Sequence, residues 1–268
     1  MTLLTSLFSA LPSWAVAVAF VLAVGVPAVG GLFVVHRLVP HQRRRANNEP
    51  AGPFSALVGV VFAVMLAFMA IAVWEQLNAA ESMVVREASA ASDVWRQAAG
   101  YPEPLKSRVR TGIRAYLEAV VNEEWPAQQR GQTTVKPWHI FEALHFDVIR
   151  FEPRSHGEQA VHQEQLKDLN TLMDQRRARL HAAGQGIDPR VWTVMVIGTT
   201  IMVVFTWFFG TDSFHAHVAM TGLFAVAIGL VLYMIAELDY PFRGNAGVPA
   251  DAFREVLKNI DRLTAAGR

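Results

Sequence analysis

FSALVGVVFAVMLAFMAIAVWEQLNAAESMVVREASAASDVWRQAAG, residues 54–100, contains both halves of the fold. Its first 21 residues, 54–74, include no Asp, Glu, Lys or Arg. A hydrocarbon core about 30 Å thick is crossed by roughly 20 apolar residues, and a soluble core helix is rarely apolar on every face for that long. Charge returns at Glu75, but no helix breaker follows until Gly100-Tyr101-Pro102. The apolar positions Leu77, Val84, Val85, Ala88, Trp95 and Ala99 keep one face dry. The span therefore continues as an amphipathic helix, and at about 1.5 Å per residue it projects roughly 39 Å beyond Trp74.

Outward from this stretch lie three more charge-free runs, 14–35, 191–209 and 218–236. The pattern predicts an all-α membrane protein: four transmembrane helices, with a helical bundle domain inserted between spans two and three. Residues 1–77 hold spans one and two with a short Arg-rich loop, and 78–190 the bundle. Residues 191–240 hold spans three and four, and 241–268 form a C-terminal tail, partly helical. Residues 1–13 carry no basic side chain, so a secretory n-region is missing and the first run reads as a retained span.

Inside the bundle, a helix beginning at Pro104 and ending near Trp125-Pro126 follows the Gly-Tyr-Pro stop. A shorter helix spans 137–150. A last helix, about 158–183, aligns Val161, Leu166, Leu169, Met173 and Leu180 close to a heptad seam. No apolar alternation suggests a strand.

Composition removes several function classes. The chain has a net charge of +1 and no cysteine, which leaves no thiolate, disulfide or basic tract for nucleic acid. It has no G-x-S-x-G, no H-E-x-x-H and no Gly-rich phosphate loop. Glu123-Glu124 and Glu142 with Asp147 read as surface charge on a solvated bundle. The expectation is a non-enzyme with no cofactor, embedded in membrane lipid.

Several residues in fixed order carry a family resemblance. Asn47, Asn48, Gly52, Phe54, Ser55, Leu57 and Gly59 lead into a small-residue-rich second span that ends at Trp74. Glu87-Ala88, the Glu124-Trp125-Pro126 stop, and Arg176, Arg177 and Arg179 on one helix follow. Asp239, Pro241, Phe242 and Gly244 come after the fourth span. Together they resemble a bacterial four-span membrane family labelled bestrophin-like, over about residues 45–254. The resemblance implies the architecture above and channel activity, since bestrophins are oligomeric anion channels with their large domain in the cytoplasm. It supplies no established catalytic or binding residue.

Charge near the spans points to the opposite placement. The 36–53 loop has Arg37, Arg43, Arg44 and Arg45 against Glu49, whereas the 210–217 loop has only Asp212. The positive-inside rule then puts the N-terminus and middle domain outside the cytoplasm.

Three groups are candidates for function. Glu75, Glu81, Glu237 and Asp239 fall at the domain-side membrane edge, where an acidic ring would attract cations at a pore mouth; pairing with Arg190 and Arg243 is the plainer reading. Gly59, Ala63 and Ala67 in span two, with Gly222 and Gly229 in span four, form small-residue stripes that allow close helix packing. His36, His41, His215 and His217 could converge at the opposite edge, but their spacing matches no ligand motif, and no metal is expected. With no ionisable residue inside any span, a proton-coupled pump is disfavoured. The function expected is a homo-oligomeric, channel-like assembly that conducts inorganic ions. A membrane-anchored interaction or envelope stress-sensing module is the alternative.

Overall fold

The structure is a computed structural model that describes residues 12–46, 48–244 and 247–266, without the side chains of His41, Arg43 and Ala46. Expectations for residues 1–11, Asn47 and the His41 imidazole fall outside the described residues. Ten α-helices in chain order organise the rest: α1 Ser13–Leu38, α2 His41–Ala46, α3 Asn48–Gln97, α4 Leu105–Ala119, α5 Trp125–Gln129, α6 Lys136–Ile149, α7 His156–Gly184, α8 Pro189–Phe208, α9 Phe214–Leu238 and α10 Asp251–Ala265. No strand occurs among the described residues. Four helices are long and apolar enough to cross a membrane. They contain the four runs read from sequence, in α1, α3, α8 and α9, except that α8 stops one residue short of Phe209.

The described residues form two compact units, one within 12–75 and 186–239, the other within 76–185 and 240–266. Helix α3 gives its first part to the membrane unit and its second to the bundle. It is one helix of 50 residues, because nothing between Pro53 and Gly100 interrupts the backbone hydrogen bonds.

In the membrane unit, α1 and α9 pack backbone against backbone. A Cβ added at Gly229 would lie 2.9 Å from Val21 Cα, so only glycine fits there. Phe62, Leu66 and Val73 of α3 join Met195, Met202, Ile228, Leu232 and Ile235 in the buried cluster. At one edge, Trp207 Nε1 donates to the Ala28 carbonyl at 2.9 Å, and its ring lies over Gly31.

The 36–53 segment, expected as a loop, is largely helical, since α2 and the start of α3 fill it. Some of its polar groups are engaged: Arg44 is buried and donates to His36 Nδ1 at 2.7 Å, and Arg45 pairs with Asp212 at 3.0 Å. Asn48 and Gly210 exchange two hydrogen bonds, both 2.8 Å.

In the bundle, the helix predicted to stop near Trp125-Pro126 runs on to Gln129. Pro126, in the first turn of α5, has no N–H to give to the preceding turn. The joint with α4 is a π-helical turn, Val120–Glu124, in which Trp125 N–H bonds the Val120 carbonyl. One extra residue in that turn shifts the register, so Val120, Glu124, Trp125 and Gln128 all point inward.

The stretch expected as a separate tail is part of this core. Phe242, Val248, Phe253 and Ile260 are buried with the bundle residues. Trp125 packs edge-on between Phe242 and Phe253, with ring centroids 5.9 and 5.5 Å away, and donates to the Val248 carbonyl at 3.1 Å. The apolar face of α10 is separated from its partners in sequence by two spans, α8 and α9. The expected seam of α7 also changes: Leu169 and Met173 are buried, but Val161, Leu166 and Leu180 only partly. Gln165, Leu172, Arg176 and Arg179 take the inner positions.

Candidate functional site

The edge acids do not share one environment. Glu75 is exposed at the end of the apolar run. Glu237 is half-buried and accepts from Ser13 Oγ at 3.0 Å. Asp239 is buried; its carboxylate accepts from the Ile187 backbone N–H and from Trp192 Nε1, the latter at 3.1 Å. It ties the chain just before α8, whose N-cap is Asp188, to the end of α9. Glu81 belongs to the bundle and is exposed. Arg190 pairs with Asp188 at 3.1 Å, and Arg243 lies over the Tyr240 ring at 4.3 Å.

The small residues divide. Gly229 and Gly59 sit at helix contacts, the latter with Met202 Cε 3.3 Å from an added Cβ. Gly222 meets nothing within 4 Å, and Ala63 and Ala67 are exposed. The histidines are occupied separately: His36 stacks on Phe214 at 4.2 Å, and His217 Nε2 donates to the Thr206 carbonyl at 2.8 Å. His215 is exposed beside Phe214. No metal-holding cluster occurs among the described residues.

The most organised polar site is one the sequence reading did not assemble. Glu87 of α3, Tyr116 of α4, Glu124 of the π turn, Gln128 of α5, and Arg176 and Arg179 of α7 meet inside the bundle. The two arginines and two glutamates are each at most 2% exposed. Arg179 Nε and Nη2 clasp Glu87 at 2.6 and 3.0 Å. Its Nη2 also reaches Glu124 Oε1 at 2.6 Å, and Nη1 reaches Gln128 Oε1 at 2.8 Å. Arg176 forks onto Glu124 at 2.9 and 2.6 Å. Tyr116 donates its hydroxyl to Glu87 Oε1 at 2.6 Å.

Two positive and two negative charges close the account locally, and the forked geometry satisfies each buried carboxylate. Burial alone would push the Glu124 carboxyl up, but Arg179 and Arg176 outweigh it and hold it below the usual carboxylate range. Burial lifts the Tyr116 phenol far above its ordinary value, and the Glu87 charge adds to that. Burial opposes the Arg179 charge, yet Glu87 and Glu124 keep it firmly protonated. Glu124, Tyr116 and Arg179 therefore hold fixed protonation states near neutral pH, which suits a structural clamp better than proton transfer.

Glu124 was expected among surface charges; it is interior because the π turn rotates it inward onto two arginines. Exposed partners surround the other acids considered for acid–base work. Glu123 pairs with Lys136, Glu142 lies near His139, and Asp147 pairs with Arg108 at 3.3 Å.

Four apolar spans and a bundle clamped by buried charge define a polytopic helical membrane protein. The chain belongs to the bestrophin-like domain family, which it matches over residues 16–253. Among solved structures, it is similar to a bacterial bestrophin homologue from Klebsiella pneumoniae, with 14% identity over 92% of this chain and 98% of that one and a TM-score of 0.65. Two crystal structures of membrane proteins with single substitutions are also similar. One is 14% identical over 92% of this chain and 99% of that one, with a TM-score of 0.66; the other is 15% identical over 95% and 99%, with a TM-score of 0.64. At these identities the likeness establishes the shared fold. No curated protein sequence matches the chain significantly.

The motif residues of the resemblance now have places. Glu87, Glu124, Arg176 and Arg179 are the clamp, Trp125 and Phe242 pack together, and Asp239 holds Ile187 and Trp192 at the approach to α8. Arg177, between the two buried arginines, is exposed and pairs with Asp174 at 3.7 Å.

Proposed function

We propose that this protein is one subunit of a homo-oligomeric ion-conducting pore lined by span two. The observation that carries this reading is the exposed face of α3 within the membrane unit. Phe54, Leu57, Val61, Val64, Phe68 and Ile71 recur at alternating intervals of three and four and are 49–67% exposed. Beside them Ala56, Ala63 and Ala67 are also exposed, so a neighbouring copy can approach closely. The spacing continues to Glu75, an exposed carboxylate at the end of the run. An apolar stripe closing on itself in several copies is a constriction that gates by dewetting, and Glu75 would place a ring of charge at its mouth. Glu237 and Asp239 are engaged elsewhere and take no part in that ring.

The family places the large domain in the cytoplasm, and we favour that orientation over the one suggested by the arginine loop. Because the chain lacks cysteine, Glu152→Cys in intact cells should resist a membrane-impermeant maleimide until the cells are permeabilised.

Planar bilayer recording tests the pore. The wild type should conduct, and Phe68→Ala should raise unitary current several-fold by widening and wetting the constriction. Glu75→Gln should alter cation-to-anion preference. A monomeric, non-conducting protein in lipid nanodiscs would sink this reading in favour of a membrane-anchored interaction module.

A further inference from the structure

We propose that the bundle contains a binding site for a small organic monocarboxylate, beside the buried clamp and independent of conduction. A cavity of about 250 Å³ opens there, lined among others by Glu124, Gln128, Thr133, Leu180, Ala183 and Arg243. Two of its polar groups have a buried donor with no hydrogen-bond partner. Gln128 is 6% exposed, and its Oε1 accepts from Arg179. A guanidinium can only donate, so the amide orientation is fixed and Nε2 is turned the other way. That Nε2 is buried and has no hydrogen-bond partner.

Arg243 is the second group. Its Nε is buried without a hydrogen bond, and its guanidinium rests on the Tyr240 ring at 4.3 Å. It also lies 3.4 Å from where a Cβ would stand at Gly131, a residue with φ of +72°. The glycine thus permits both the turn and the close approach of the cation. Among the described residues Arg243 pairs with no carboxylate.

The charge balance selects the ligand class. Both oxygens of Glu124 already accept from Arg176 and Arg179, so Arg243 leaves one uncompensated positive charge. A planar carboxylate fits a guanidinium fork, and the Gln128 amide N–H adds a neutral donor. Leu180 and Ala183 give a short apolar body a surface. Phosphate would bring a second negative charge against the Glu124 wall, and a bare halide would leave most of the cavity unfilled.

Saturation-transfer NMR on propionate, with the full-length protein in detergent at constant ionic strength, tests this. The wild type should show saturable transfer that chloride and inorganic phosphate do not displace. Arg243→Gln and Gln128→Glu should each weaken apparent affinity about tenfold or more, since each removes a charge-assisted or donor contact. Ala183→Leu should abolish binding by filling the cavity, and it keeps the test decisive if either polar variant folds poorly. No saturable transfer in the wild type, or unchanged affinity in Ala183→Leu and Arg243→Gln, overturns the site. Displacement by phosphate or chloride overturns the ligand class. Bilayer currents read the pore separately, so loss of one does not imply loss of the other.

Discussion

Where α1 meets α9, main chain touches main chain, and a Cβ at Gly229 would stand 2.9 Å from Val21 Cα. At the centre of the bundle, four side chains with full charges share a site at most 2% exposed. The first contact gains its stability from dispersion between closely approaching helices, because lipid provides no hydrophobic drive between spans. The second derives from electrostatics in a dry interior and is only as good as its completeness. One protein therefore uses two kinds of cohesion with different sensitivities. Volume matters in the membrane unit, and charge balance in the bundle.

The largest effect should come from opening the clamp. Arg179→Met leaves Glu87 and part of Glu124 without counter-charge, and breaking a buried pair costs about 3–5 kcal/mol. Arg179→Lys should recover little, since an ammonium cannot fork across Glu87, Glu124 and Gln128. Equilibrium unfolding of the detergent-solubilised protein reads both. A loss under about 1 kcal/mol for Arg179→Met would show that water reaches the network, because exposed pairs are worth no more than that. The contrast drawn above would then fail.

In the membrane unit, Gly229→Val should cost about 1–3 kcal/mol, since overpacking forces the α1 backbone aside. Gly222→Ala, with nothing within 4 Å of the added Cβ, should be near neutral or slightly stabilising. Comparing the two by thermal unfolding in one detergent sharpens the point: the glycines lie a heptad apart on one helix, and only one is a contact. Equal effects would mean that helix propensity, not approach distance, governs the span.

The spans were legible in the sequence because hydropathy is a local signal, and a run such as 54–74 declares itself without reference to partners. The unbroken passage of α3 into the bundle was legible for the same reason. The clamp was not. Glu87, Glu124, Arg176 and Arg179 were each visible as motif residues, yet nothing local says that a charged side chain on a polar helix points inward. The usable hint was spacing: Arg176 and Arg179 are one turn apart on the face shared with Leu169, Leu172 and Met173, whereas Arg177 is not. Glu124 was hidden further by the π turn, which shifts the register by one residue in a way no periodicity count anticipates. Tail and bundle were separated by two spans in sequence, so the fit of Phe242 and Phe253 around Trp125 needed three dimensions.

The smallest predicted effect concerns acid, and it asks whether the clamp is ionised. The folded-state pKa of Glu124 is lowered by Arg179 and Arg176, against the contrary push of burial. A carboxylate with a depressed folded pKa stabilises fully above its unfolded value, about 4.3. That contribution is lost as pH falls through the folded value, with a slope of at most about 1.4 kcal/mol per pH unit for one proton. Wild type should therefore exceed Glu124→Gln in stability by a constant margin from pH 7 down to about 5, and the margin should shrink below about 4. Denaturation at a series of pH values gives the difference directly, with the many exposed acids common to both proteins cancelling. A margin that instead grows as pH falls from 7 toward about 4, and levels below that, would mean that Glu124 is already protonated in the fold. Arg176 and Arg179 would then carry an unbalanced charge, and the bundle would be held by packing, as the membrane unit is.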